Sequence, residues 1–390
     1  MKKYFPLFWV FYLLCAFSAH AGEGRYTIPL TGGGWSLWLD KEASWQNDRL
    51  YLPHEITDLS LLPVNVPTGG WQTLSHNPDA VPVEVPGTVE EYLTVTDNPR
   101  PENFRGVSWW YRKITIPADQ QKKRFIIYFE SVRMRAEVYL DGKLVAYDLI
   151  GETPFHVDIT DEAKPGKEQL LAIRVTNPGG NFHWQDFDIM KWGEYNIPPS
   201  RSFTGIIGRV KLESVNPVFI SDIYMQNTPE LTKVNAILSF TNETSSSVKQ
   251  DVELIVNEKG NPDKVVFRQT LKAISFPAGN HEVTIPVNVP DAKLWDLSTP
   301  ELYTCNVLIK KGKKTLDQDK KDFGFRWFTV DGVGKDAVLR LNGRRIMLRS
   351  AISWGYFPVT GLIATTEMAE KQVRTAKSLG LNMLNFHRCI

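Results

Sequence analysis

Cysteine is nearly absent: the 390 residues contain three, at positions 15, 305 and 389. Such a chain has no disulfide framework and no Cys-based metal site, so its cores must stand without staples. Net charge is equally slight, with 45 Lys and Arg against 44 Asp and Glu. That balance gives no global field for nucleic acid or an anionic membrane, and nucleic acid is not an expected partner. Long apolar runs are also lacking. The one candidate, Tyr4 to Phe17, falls short of the roughly 20 residues that span a bilayer. No membrane span is expected. Finally, almost no helical period is sustained between Gly24 and Val215, which excludes an all-α fold for the first half.

The short apolar run has another reading. Lys2 and Lys3 precede it and Ala19-His20-Ala21 follows it, the layout of a secretory leader cleaved after Ala21. A periplasmic or secreted location is therefore expected. Cys15 follows Leu14, where lipoprotein processing needs a small residue, so lipidation is the lesser reading.

From 24 to 215 the chain reads as short strands between Gly, Pro, Asn and Asp. Examples are Trp109 to Pro117, Arg124 to Val132, Arg135 to Ile150 and Gln169 to Asn177. Within the third, Asp141-Gly142 predicts a tight hairpin turn, because both residues accept positive φ. Evenly spaced strands joined by hairpins and long loops predict a jelly-roll sandwich. The stretch from Asn181 to Ser202 is rich in Trp and His, and a loop that long is more often functional than idle. The segment 216–328 offers seven further strands at immunoglobulin-like spacing, without the Cys–Trp–Cys hallmark of antibody domains. Its Lys-rich turn (Lys310, Lys311, Lys313, Lys314) reads as a solvated edge. The segment 329–390 changes period: strand Arg345 to Ile352, a helix capped by Thr365 or Thr366 and stopped at Gly380, then an apolar strand Leu381 to Phe386. This βαβ unit is the first step of a barrel or a doubly wound sheet. Alone it would leave an apolar edge open, so the expectation is an N-terminal portion of a longer protein. The fold class is thus mostly β and multidomain: leader 1–21, jelly roll 24–215, immunoglobulin-like sandwich 216–328, and the start of a (β/α)8 barrel at 329–390.

Several stretches carry a family resemblance. GVSWWYRKITIP, FESVRMRAEVYLDGKLVAYDLIGETPFHVDIT, LAIRVTN and GIIGRVKL resemble the sugar-binding jelly roll of glycoside hydrolase family 2, the group of β-galactosidases, β-glucuronidases and β-mannosidases. DAKLWDLSTPELYTCNVLI resembles its immunoglobulin-like second domain, while FGFR, LNGRRIMLR, PVTG and LNMLNFHR resemble the start of its TIM barrel. The resemblance implies a retaining β-glycosidase acting on an oligosaccharide or glycoside; no cofactor is expected, and no metal-ligating residue is expected in this chain. It also implies a catalytic Glu pair downstream of this chain, so that the 390 residues alone are inactive. Asn242-Glu243 and Asn257-Glu258 are expected to be ordinary surface pairs. Within QDFDIMKW, Asp186 and Asp188, with Trp184 and Trp192, resemble an acidic loop that reaches the terminal sugar. Carboxylates accept from paired hydroxyls and an indole covers the apolar face of a pyranose. At the expected ends of the first barrel strands, Trp354, His387 and Arg388 are candidate substrate-binding residues. Ser350 to Gly355 departs from the Gly-Val-Asn-Arg-His-Glu of relatives, pointing to a different sugar. A second reading is a non-catalytic carbohydrate-binding or scaffolding β-sandwich protein.

Overall fold

A computed structural model describes residues 24–44, 58–93, 104, 106–148, 151, 153–177, 191–192, 195–196, 204–353 and 365–386. The expected leader and cleavage site lie outside the described residues.

The first sandwich contains β1 (Tyr26–Pro29), β2 (Gly32–Asp40), β3 (Val81–Val85), a one-turn helix α1 (Val89–Tyr92), β4 (Gly106–Thr115), β5 (Arg124–Phe129), β6 (Arg135–Leu140), β7 (Lys143–Asp148), β8 (Phe155–Asp158), β9 (Glu168–Asn177), the two-residue pair β10 (Lys191–Trp192) and β11 (Tyr195–Asn196), and β12 (Val210–Val215). A six-stranded sheet in the order β3-β2-β4-β9-β6-β7 faces a four-stranded sheet in the order β1-β12-β5-β8. The ladders are antiparallel. Alternation sends Ala136, Val138 and Leu140 of β6 into the inter-sheet core with Trp35, Trp110, Phe129 and Ile173. The β6–β7 turn is the one expected: Asp141 and Gly142 both have positive φ, 49° and 83°. β6 differs from a half-exposed strand in being buried on both faces. The reason is tertiary, since the segment from Leu62 to Ala80 roofs the outer face and packs against Trp109, Tyr139, Leu144 and Ala172.

The second sandwich has the seven strands the period predicts. They are β13 (Val218–Asn227), β14 (Lys233–Asn242), β15 (Val248–Glu258), β16 (Val265–Phe276), β17 (Gly279–Asn288), β18 (Tyr303–Lys311) and β19 (Lys314–Phe323). They form sheets β13-β14-β17 and β16-β15-β18-β19. β14 buries strictly every second residue, so its apolar set Val234, Ala236, Leu238 and Phe240 all reaches one core.

Beyond it, β20 (Phe328–Asp331), β21 (Val338–Leu341) and β22 (Arg344–Arg345) make a small antiparallel sheet. β23 (Ser350–Ser353), helix α2 (Thr366–Ser378) and β24 (Met383–Phe386) follow, and β23 pairs parallel with β24. The Thr365 hydroxyl caps α2 by accepting from Met368 N at 3.2 Å. At the other end Gly380 has φ 74°, and Leu381 N donates to Ala376 O at 3.0 Å. Two expectations need correction. The strand drawn from Arg345 to Ile352 is broken, because Asn342 and Gly343, at φ 51° and 77°, turn Arg344 and Arg345 back against β21. A parallel strand is expected to be buried on both faces, and β24 is not: Met383 is 36% exposed and Asn385 lies open. Val373 on α2 and Leu379 at its C-cap are likewise exposed. No helix among the described residues is long and apolar enough to cross a membrane.

Candidate functional site

Register brings the long segments of the first sandwich to one end of its larger sheet. Gly106, where β4 begins, pairs with Asn177, where β9 ends. Val107 pairs with Asp40 at the end of β2, and Thr176 pairs with Arg135 at the start of β6. Chain therefore leaves this single rim after Asp40 and after Asn177, and enters it before Gly106 and before Arg135.

Two polar knots hold the rim. The first anchors both ends of the segment between β9 and β12. The Asn177 side-chain amide donates to Phe104 O at 2.6 Å and to Thr204 Oγ1 at 2.7 Å. Thr204 N donates to Glu90 Oε2 at 3.1 Å, and Val89 N donates to Thr204 O at 2.7 Å. Arg133 and Gly205 exchange backbone hydrogen bonds of 2.8 and 2.7 Å. Gly205 is required by approach: a Cβ there would stand 2.2 Å from Gly87 O. Glu90, Arg133, Asn177 and Thr204 are all buried.

The second knot sits on the roofed face. Glu137 Oε1 accepts from Arg135 Nη2 at 2.7 Å and from Asn65 Nδ2 at 2.8 Å. Its Oε2 accepts from Tyr139 Oη at 3.0 Å, with Arg174 Nη1 3.4 Å away. Arg174 also donates to Thr176 Oγ1 at 2.9 Å and to Ser44 O at 3.1 Å. The Arg135 guanidinium lies over the Tyr147 ring, 4.9 Å from its centroid. Burial, then the neighbouring Glu137 charge, pushes the Tyr139 phenol above its ordinary pKa, so it stays a proton donor. Beside it Trp71, Trp109 and Tyr139 pack edge-on or tilted, their ring centroids 5.0–5.7 Å apart. Trp109 Nε1 and Thr68 N both donate to Asp40 Oδ2, at 3.1 and 2.9 Å.

Chemically these carboxylates are occupied. Glu137 is surrounded by donors and Glu90 Oε2 accepts from the Thr204 amide, so both serve as buried anchors and not as the paired acid and nucleophile of glycoside cleavage. Among the described residues no group of three His, Cys, Asp or Glu is placed to hold a metal ion. At the opposite end of the same sheet an open trough of about 670 Å³ lies between Ser36, Tyr111, Lys113 and Leu170 on the strands and His76 and Asn77 on the roof.

Of the residues singled out by sequence, Trp184, Asp186, Asp188, Trp354, His387 and Arg388 lie outside the described residues. Trp192 is described by its backbone alone, paired with Tyr195. The Asn-Glu pairs need a correction: Asn242 and Asn257 are buried, at 3% and 7% exposure. Asn242 donates to Phe276 O at 2.9 Å and Asn257 accepts from Asn306 at 2.8 Å, so both close strand ends from within. The two knots escaped the sequence reading. Arg135, Glu137 and Tyr139 alternate with apolar residues and so resemble a solvated strand face; only the distant roof segment reveals otherwise.

Comparison with known proteins matches residues 33–196 to the model described as "Glycosyl hydrolases family 2, sugar binding domain" and residues 218–326 to "Glycosyl hydrolases family 2". A beta-glucuronidase of Formosa agariphila is 26% identical over 267 residues, which is 65% of this chain and 26% of that protein. A beta-galactosidase of Thermoanaerobacterium thermosulfurigenes is 27% identical over 279 residues, 69% of this chain and 36% of that protein. Among solved structures, a Bacteroides uniformis beta-glucuronidase superposes with a TM-score of 0.66 at 21% identity, covering 93% of this chain and 39% of that one. The chain spans about a quarter to two fifths of the length of the curated relatives it matches.

Proposed function

From the premise that the chain belongs to glycosyl hydrolases family 2, we propose that it forms the two sandwiches and first barrel strands of an exported, retaining β-glycosidase. The observation that carries this reading is the parallel pairing of β23 with β24 around α2, directly after two sandwiches that match the family in order. Parallel pairing sets the C-terminal ends of both strands on one side, where barrel active sites sit. Trp354 follows β23 directly in the chain, and His387 and Arg388 follow β24. They form part of the sugar-binding wall.

The rim of the first sandwich supplies the other part. Asp186, Asp188, Trp184 and Trp192 lie on the segment anchored by Asn177 and Thr204, and bind the substrate's hydroxyls and ring face. The nucleophile and acid/base, a carboxyl pair about 5–5.5 Å apart, belong to later barrel strands. The substrate is a β-linked glycoside, and Ile352 and Trp354 adapt the site to a sugar other than those of relatives with Asn and His there. Lys2, Lys3, the apolar run and Ala19-His20-Ala21 support export.

The test is hydrolysis of a panel of aryl β-glycosides, the β-D-glucuronide and β-D-galactoside among them, by protein made from the complete reading frame, with the first product anomer followed by proton NMR. Release of the β anomer is expected. An α anomer, or glycoside binding without hydrolysis, overturns the reading. The 390-residue chain alone should turn over none of them, and turnover by it would place the chemistry within these residues. Asp186→Asn or Asp188→Asn should raise KM about tenfold, the loss of one charged hydrogen bond of ~1.5 kcal/mol.

A further inference from the structure

The two sandwiches have separate apolar cores, with no buried residue shared between the clusters. Among the described residues polar contacts cross their junction: Arg124 of β5 lies 3.6 Å from Glu243, and the buried ones meet at β19. Arg25, which precedes the first strand, reaches over the chain boundary to Asp317: Nε and Nη2 donate to the two carboxylate oxygens at 3.2 and 3.1 Å. Its Nη1 donates to Glu213 of β12 at 3.3 Å. Asp317 is fully buried and also accepts from Ile220 N at 2.7 Å. The Arg25 side chain is only 10% exposed. Two further neighbours meet at Leu316. Gly24 lies against β19, where a Cβ would meet Leu316 O at 3.7 Å, and the Asn216 amide donates to that same carbonyl. Beside the pair opens a polar cleft of about 470 Å³, lined by Lys211 and Glu213 on one side and Asn306, Gln318 and Asp319 on the other.

We infer that Arg25 is a buried pin fixing the orientation of the two sandwiches, so that the N-terminal strand works as an interdomain latch as well as a sheet edge. The chemistry suits the task. A planar guanidinium matches a carboxylate in two parallel hydrogen bonds, which specifies direction as a lysine cannot. Both partners are withdrawn from water, so losing either strands a charge in the joint and the pair resists salt. The pin spans 292 positions of sequence. Each sandwich can therefore fold on its own core before the latch closes.

The inference is independent of glycosidase activity, and so is its test. Arg25→Met, Arg25→Lys and Asp317→Asn chains are compared with the wild type by calorimetry and small-angle X-ray scattering. In the wild type the sandwiches should melt together. In Arg25→Met the endotherm should split, its lower component falling by about 5–10 °C, and the radius of gyration should increase. Arg25→Lys keeps the charge without the fork, folds if Met does not, and should give the same larger radius with a smaller thermal shift. Asp317→Asn combined with Arg25→Met should cost less than the two changes summed. A single transition with unchanged scattering in every variant, whether or not its temperature drops, would overturn the pin, as would strict additivity of the double change.

Discussion

Two antiparallel sandwiches, adjacent in one chain, bury charge in opposite ways. The first places Asp40, Glu90, Arg133, Arg135, Glu137 and Arg174 in its interior, near the rim from which its long segments leave. Apart from Asp317, whose partner Arg25 comes from the first sandwich, the second buries few polar groups, and its charged Glu253 keeps partners in water: Arg268 and Lys310 reach it from side chains 56% and 29% exposed. Similar architecture therefore serves two ends. A sandwich that only spaces needs alternation and closed strand ends. A sandwich that must hold irregular chain against a sheet needs buried donors and acceptors, because loop backbone removed from water must be paired. The cost is fragility, since a buried charge network loses more when one member goes than an apolar core does.

Glu137→Ala should break this comparison most sharply. It strands Arg135 and Arg174 in the interior, at about 3–5 kcal/mol, whereas Glu253→Ala in the second sandwich should cost about 0–1 kcal/mol. Urea unfolding followed by Trp fluorescence checks the difference, because Trp109 and Trp110 report the first sandwich. Equal effects would remove the contrast drawn here. Gly205→Ala should follow, at about 1–3 kcal/mol, since its Cβ would overlap Gly87 O and the anchor would have to shift. Hydrogen exchange should then quicken at Thr204 and Gly205 and leave β14 and β15 unchanged. Asn242→Ala tests the second sandwich at its own buried amide, and about 1–2 kcal/mol is expected from two lost carbonyl partners.

Acid should sharpen the comparison further. In the second sandwich hydrogen bonds from Lys310 and Lys272 hold the Glu253 and Asp251 carboxyls below their usual values. A carboxyl with a depressed folded pKa stabilises above its unfolded value, and that contribution is lost as pH falls through the folded one. The second sandwich should therefore lose stability below about pH 4, as a thermal melt series in pH would record, and Lys310→Met should shrink that loss. The smallest effect concerns Cys305. Burial pushes its thiol up to about 12, so a maleimide at pH 8 should leave it unlabelled in the native protein and modify it only on unfolding. Native labelling of Cys305 would mean the second core is open.

The strands were largely legible, and the reason is local. KVNAILSFTN declares β14 because period-two alternation meets β-branched and aromatic residues, and Asp141-Gly142 declares the β6–β7 turn because those two residues accept positive φ. Legibility failed at Arg344 and Arg345, where the Asn342-Gly343 turn overrode an apparently continuous strand. It failed again at Asn242 and Asn257, whose burial depends on strands distant in sequence. Of the candidate site, the sequence names Asp186, Asp188 and the tryptophans, while the structure supplies the anchors at Asn177, Thr204 and Glu90.

By itself, then, the sequence determined the order of the units, the period of each strand and the family to which both sandwiches belong, since each depends on residues near one another in the chain. Only the tertiary structure decided that Glu137 is an interior anchor instead of a solvated face, and that Arg25 meets Asp317. Charge in a strand is neutral evidence until the covering segment is known, because the same carboxylate is cheap in water and demands every partner once a roof excludes it.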